Sequence, residues 1–152
     1  MRAVERRDRR DCLRSLILIV LDSSFIIAYF NERDVHHKSA LRVMKKLIEG
    51  DFDPILMPEY VFLEVVTVLA ARRDPPTAVS VGRTLLNSEE VEFVSCSEYF
   101  VHTMETFARE GRLGLSFTDA AIVAICRHRG AEHVATFDAD FGKVNGLTVV
   151  SK

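Results

Sequence analysis

The sequence predicts an α/β fold, with a central, mostly parallel sheet carrying helices on both faces. Three observations predict it. Short continuous apolar runs, LILIVL at 16–21 above all, read as strands buried on both sides, as parallel sheets require. These runs alternate with stretches of helical periodicity, the pattern that builds parallel sheets rather than hairpins. The chain has 152 residues, 48% of them hydrophobic. That is the size of one domain, able to bury roughly 70% of its unfolded surface without disulfides or structural metal.

Taken in order, residues 1–15 are charge-rich and lack periodicity. They predict a flexible tail ahead of a domain at 16–152; an upstream start codon or a basic arm that touches nucleic acid are the other readings. LILIVL is the first strand. Asp22-Ser23-Ser24 ends it and starts a short helix through Phe30. Asp34 caps a longer helix with Val35, Leu41, Val43, Met44, Leu47 and Ile48 as its apolar positions and Gly50 as its stop. Strand two is Pro54 to Met57, and Pro58 opens helix three, to about Arg73. Asp74-Pro75-Pro76 supplies a cap and first-turn prolines for helix four, which ends near Asn87. VEFV (91–94) is strand three. Ser97 caps a helix to Glu110, stopped by Gly111; Ser116 to Arg129 is the next helix. Strands at His133–Thr136 and Leu147–Val150 complete the sheet.

Charge and cysteine usage narrow the function classes. The net charge of −2 conceals an asymmetry: Met1–Ser15 carries six arginines against Glu5, Asp8 and Asp11, so a +3 tail precedes a −5 body. Overall charge therefore does not mark a polyanion binder. Cys12, Cys96 and Cys126 are odd in number and far apart, which supports neither a zinc site nor a disulfide framework and suggests a reducing, cytoplasmic setting. No apolar run is long enough to span a membrane, and Leu16–Leu21 is too short for a signal peptide.

The acids carry the chemistry. In open α/β sheets, ligands bind beyond the carboxyl ends of the strands. Asp22 directly follows strand one, and Asp138 follows the fourth strand, with Asp140 two residues on. Asp119 opens the apolar helix DAAIVAIC, and Glu64 is the only charged residue in YVFLEVVTVLAA. Each has an ordinary alternative. Asp22 can be an N-cap. Ser116-x-x-Asp119 resembles a capping box. Asp138 and Asp140 can form an Asx-type turn. Glu64 can pair with Arg72 or Arg73, but capping does not explain it, and a carboxylate among apolar neighbours is costly unless paired or bound to a cation. Together the set predicts converging carboxylates, which repel one another unless a cation joins them. All-oxygen ligation selects Mg²⁺ or Mn²⁺.

These residues resemble the PIN-domain nucleases, and specifically the VapC-type toxin ribonucleases. The resemblance rests on VLDSSFIIAYF (20–30), PEYVFLEVVTVL (58–69), LSFTDAAIVAICRHRG (115–130) and VATFDADF (134–141). It spans about Ile17 to Val150, and TFDADF is its most specific piece. It implies a three-layer α/β/α fold with a central sheet of four to five strands, and metal-dependent cleavage of single-stranded RNA. It places metal and catalytic roles on Asp22, Glu64, Asp119 and Asp138. Ser24 and Thr136 match the hydroxyls that orient the acids, and Asp140 matches a further acid. Arg109 and Arg112, just before Ser116, are the candidate grips for the RNA backbone. Arg127, His128 and Arg129 read instead as favourable charge at a helix C-terminus. His36 and His37 read as surface residues. The resemblance further implies a cognate antitoxin, and a homodimer is the general expectation. The remaining readings are a PIN nuclease in RNA processing, a non-catalytic PIN-like scaffold that binds RNA or protein, and a phosphoryl-handling domain with an aspartyl nucleophile.

Overall fold

The computed structural model describes residues 17–152; the tail expected at 1–15 lies outside them. Five strands form one sheet: β1 (Ile19–Leu21), β2 (Ile55–Pro58), β3 (Val91–Val94), β4 (His133–Ala135) and β5 (Thr148–Val150). Their order is β3-β2-β1-β4-β5 and every pairing is parallel, so the sheet is wholly rather than mostly parallel. All residues of β1 and β2 are buried, as continuous apolar runs in a sheet covered on both faces should be.

Among the described residues six α-helices join the strands: α1 (Ser23–Phe30), α2 (His37–Ile48), α3 (Glu59–Arg72), α4 (Pro75–Leu86), α5 (Phe100–Glu110) and α6 (Phe117–Arg129). Helices α1 and α2 cross from β1 to β2, and α3 and α4 from β2 to β3, stepping outward. Helices α5 and α6 carry the chain back past β1 to β4. Crossovers of one hand that step in opposite directions place their helices on opposite faces. Accordingly α1 packs on α2 and α3, and α3 on α4, while α5 packs on α6. The chain's direction across the sheet reverses between β1 and β4, the position where such sheets open a crevice.

Local chemistry explains most boundaries. Asp74 caps α4 through Thr77 N–H at 2.7 Å. Ser116 and Asp119 form a reciprocal capping box on α6, and Gly130 ends it at φ +71°. Three expectations fail. Ser97 does not cap α5: Ser97–Tyr99 is a 3₁₀ turn, and the Ser97 hydroxyl meets that of Ser95 at 3.0 Å. By contrast α5 does end at Glu110 with Gly111 as its C-cap, though in right-handed geometry: the chain continues as a 3₁₀ turn, Gly111–Leu113, and the left-handed residue is Gly114, at φ +99°. Val35 precedes α2 and is exposed, as are Leu41 and Ile48 on it; α2 instead buries Ala40, Val43 and Leu47. Asp34 does not cap α2 directly, but its Oδ1 accepts the His36 N–H at 2.8 Å in the turn that feeds it. Cys96 and Cys126 are buried and free. Among the described residues no helix is long and apolar enough to cross a membrane.

Candidate active site

Strand β1 delivers Asp22 to the crevice, and the Asp22 N–H bonds the Ala135 carbonyl at 3.0 Å, tying the ends of β1 and β4 together. Asp22 is only 4% exposed. Its Oδ2 accepts three hydrogen bonds, from the Ser24 hydroxyl at 2.6 Å, the Thr136 hydroxyl at 2.8 Å and the Ser24 N–H at 3.4 Å. Each hydroxyl has one proton, and both are given to Asp22. The 3.2 Å approach of Ser24 Oγ to Thr136 Oγ1 is therefore a contact imposed by a shared acceptor. The lone pairs are used as well: Ser24 Oγ accepts the Phe137 N–H and Thr136 Oγ1 the Asp138 N–H, both at 2.9 Å. Thus Ser24 and Thr136 orient Asp22 and fix the chain that carries Asp138 in one network.

Asp138 spends Oδ1 on the Asp140 N–H at 2.9 Å, the Asx turn foreseen for one of this pair. Asp119 spends Oδ2 on the Ser116 N–H at 2.7 Å. The capping readings of Asp22 and Asp119 are therefore correct as far as they go. Each uses one oxygen. The second oxygens of Asp22, Asp119 and Asp138 have no hydrogen-bond partner among the described residues, and none is sealed from solvent.

Glu64 departs from expectation. Its neighbours in the sequence are apolar, but the residue itself is exposed, because α3 turns only Val61, Val65 and Leu69 fully inward. No ion pair joins it to Arg72 or Arg73 among the described residues, and Arg73 bonds Asn31 instead, at 3.0 Å. Glu64 nonetheless belongs to the cluster electrostatically. Desolvation first, then repulsion from Asp22 and Asp119, pushes its carboxyl up, while the Ser23 hydroxyl works in the opposite sense. Asp119 is also pushed up, by desolvation and then by Asp22 and Asp138, against the pull of its Ser116 donors. Glu64 and Asp119 are therefore both repelled by other acids of the group. Among the described residues, however, no three acids, histidines or cysteines are arranged to hold a metal ion as they stand.

Asp140 is directed elsewhere. It is ion-paired to Lys143, whose Nζ also reaches the Leu113 carbonyl at 3.3 Å. It lies so close to Gly114 that a Cβ there would sit 2.6 Å from Oδ2. Beyond this pair a groove of about 440 Å³ is lined by Arg109, Arg112, Arg127 and Lys143, with Glu110 the one acid. Arg127, expected only as helix-end charge, holds Glu110 through both guanidinium nitrogens. Arg129, also expected as helix-end charge, likewise pairs with an acid, bonding Glu92 at 2.8 Å. Lys143 carries no sequence signal of this role; only the fold brings it to Arg112.

The sequence model of the PIN domain matches residues 19–147. The chain belongs to the PIN-domain family. Solved PIN structures have the same fold. VapC20 of Mycobacterium tuberculosis, a toxin that cleaves the sarcin–ricin loop, is 26% identical over 84% of this chain and 95% of its own, with a TM-score of 0.73. VapBC2 of Rickettsia felis, solved on a DNA fragment from its promoter, matches at 14% identity, 88% and 97% coverage and a TM-score of 0.66. A toxin–antitoxin complex from Klebsiella pneumoniae matches at 17%, 86% and 95%, and 0.59. Among curated proteins none matches. The five-stranded parallel sheet with six helices is thus the PIN fold, and PIN nucleases generally use divalent metals.

Proposed function

We propose that the chain is a metal-dependent endoribonuclease that cleaves single-stranded RNA, and the toxin of a VapBC-type pair. The observation that carries this reading is the half-used set of carboxylates. Asp22, Asp119 and Asp138 each tie down one oxygen and leave the other without a hydrogen-bond partner among the described residues. Hydrogen bonding to the first oxygen orients the second, as outer donors do for metal-binding carboxylates.

The donor set suits Mg²⁺ or Mn²⁺: it is all oxygen, anionic and mutually repelling. Asp22, Asp119 and Asp138 would hold the ion, and Glu64, exposed and not tied by an ion pair, is free to swing inward to complete the set. The bound metal would supply charge neutralisation at the phosphate and a hydroxide at neutral pH. The chain's own residues do the rest. Ser24 and Thr136 keep Asp22 fixed, the Asx turn keeps Asp138 fixed, and Glu64, the least restrained acid, takes a proton from the attacking water. Arg109 and Arg112 bind backbone phosphates in the groove beyond Lys143, where four cations face one acid. Asp140, neutralised by Lys143, acts as an outer partner.

The partner assignments rest on the neighbours and on one surface. VapC toxins form complexes with antitoxins, and the toxin reading gives this chain a cognate antitoxin. Phe100, Met104 and Phe107 line one face of α5 at helical spacing and are exposed, with Val101 beside them, and a second copy of the chain would cover them. Incubation of total RNA with the protein, with and without Mn²⁺, tests the central proposal. Cleavage should require the metal, and Asp119→Asn should lose it by more than about 100-fold while keeping the far-ultraviolet spectrum of the fold, since outer donors alone account for about 10–100-fold. Undiminished cleavage by that variant rejects the assignment. Absence of any acid-dependent Mn²⁺ uptake in calorimetry would establish the scaffold reading instead. A small reading frame beside the gene distinguishes toxin from RNA-processing nuclease.

A further inference from the structure

His36 and Phe137 form a parallel aromatic stack, with ring centroids 4.5 Å apart and planes within 5°. Phe137 is placed with unusual firmness. It lies between Thr136 and Asp138, and its N–H is held by Ser24 Oγ at 2.9 Å, inside the network that orients Asp22. Its ring is half-buried and packs against the core on one side. His36 covers it from the solvent side and is itself exposed. Core packing does not require this histidine. The adjacent His37 bonds the Ala28 carbonyl through Nδ1 at 2.8 Å, whereas the His36 ring makes no hydrogen bond among the described residues. No other ring among the described residues stacks on it. The result is a flat stacked pair whose His36 member is solvent-exposed, anchored one residue from Thr136 and from Asp138.

Unpaired bases are recognised by stacking on aromatic and histidine rings, because every base has a π face. We propose that the His36–Phe137 stack is the seat for one unpaired nucleobase of the RNA, beside the carboxylates that face its phosphate. The inference rests on the ribonuclease reading and adds what holds the base. The seat lies on the β4 end, while the basic groove lies past Lys143, at the end of the 3₁₀ turn Ala139–Lys143, so base and backbone are gripped at separate places.

Binding distinguishes this from a purely structural stack. Two fluorescein-labelled probes of equal length are titrated in calcium: oligoadenylate RNA, and a ribose-phosphate oligomer lacking bases. The wild-type protein should prefer the base-bearing probe by about fivefold or more, the low end of what one stacked base contributes. His36→Ala should bring that preference close to unity without changing affinity for the abasic probe, and His36→Phe should retain it. An unchanged preference in His36→Ala, accompanied by a lowered unfolding temperature, shows that the stack only fastens α2 to the sheet and overturns the proposal. Equal binding of the two probes by the wild type overturns it as well. The nuclease reading is judged separately, by Mn²⁺-dependent and Asp119-dependent cleavage, so either can fail alone.

Discussion

Asp74 and Asp119 both cap helices, and their carboxylates end in opposite electrostatic states. Asp74 uses both oxygens, Oδ1 on the Thr77 N–H at 2.7 Å and Oδ2 on the Thr77 hydroxyl at 2.9 Å. Those bonds hold its carboxyl below the ordinary range. Asp119 uses only Oδ2, and its carboxyl is pushed up by desolvation and by two facing acids. Capping is thus common to both, and what separates them is the remaining oxygen and its neighbours. A cap that is fully satisfied belongs to the fold. A cap with an oxygen to spare, near enough to other acids to be repelled by them, is what the proposed metal site would look like before the cation binds.

The comparison is broken most severely at the network that keeps the spare oxygens aimed. Thr136 is fully buried, and its hydroxyl both donates to Asp22 and accepts from Asp138. Thr136→Val keeps the shape but strands the Asp138 N–H and removes one donor from Asp22. Metal affinity should fall about 10–100-fold, and stability by about 1–3 kcal/mol for the unsatisfied buried group. Manganese titration by calorimetry, with urea unfolding of the same samples, measures both. A variant that binds Mn²⁺ as well as the wild type would show that Asp22 needs no such orientation.

The same contrast has a pH signature with two signs. Glu64 and Asp119 have folded pKa values above their ordinary ones. Ionising them costs the fold, so their contribution is best where they are protonated and is lost as pH rises from the ordinary carboxylate range through the raised values. Asp74 has a lowered folded value. Its contribution is present above its ordinary pKa and is lost as pH falls through the lowered one. In EDTA, the Glu64→Gln, Asp119→Asn double variant should therefore melt above the wild type at neutral pH, the gap closing on acidification. Saturating Mn²⁺ should reverse the order, since only the wild type retains the anionic set. Coincident melting curves across the range would mean that the acids do not repel one another.

Most of the fold was legible because its signals are local. Apolar runs marked β1 and β2, and Asp74, Ser116 and Gly130 marked helix ends by their own hydrogen bonds and backbone angles. What failed was tertiary. Leu41 and Ile48 are apolar but face outward, since α2 buries its other side. Glu64 appeared buried because its neighbours in the chain are apolar, yet exposure is set by which face of α3 meets the sheet. The acids at strand ends could be read from position alone, because a parallel sheet sends every strand end to one edge. The Asp140–Lys143 pair and the His36–Phe137 stack could not, for they depend on turns whose course no motif records.

The smallest effect is expected at the satisfied cap, and it is the control on the whole comparison. Asp74→Ala removes both bonds to Thr77 but touches no acid of the crevice, and Pro75 and Pro76 still preset the first turn of α4. The unfolding midpoint should fall slightly, in the direction of a lost cap, with the loss shrinking at low pH, where protonation removes the charged part of the Asp74 cap. Mn²⁺ uptake and RNA cleavage should match the wild type. If Asp74→Ala instead impaired metal binding as Thr136→Val is expected to, then loss of a helix cap anywhere would disturb the crevice. The spare oxygens of Asp22, Asp119 and Asp138 would then no longer mark them as a separate class.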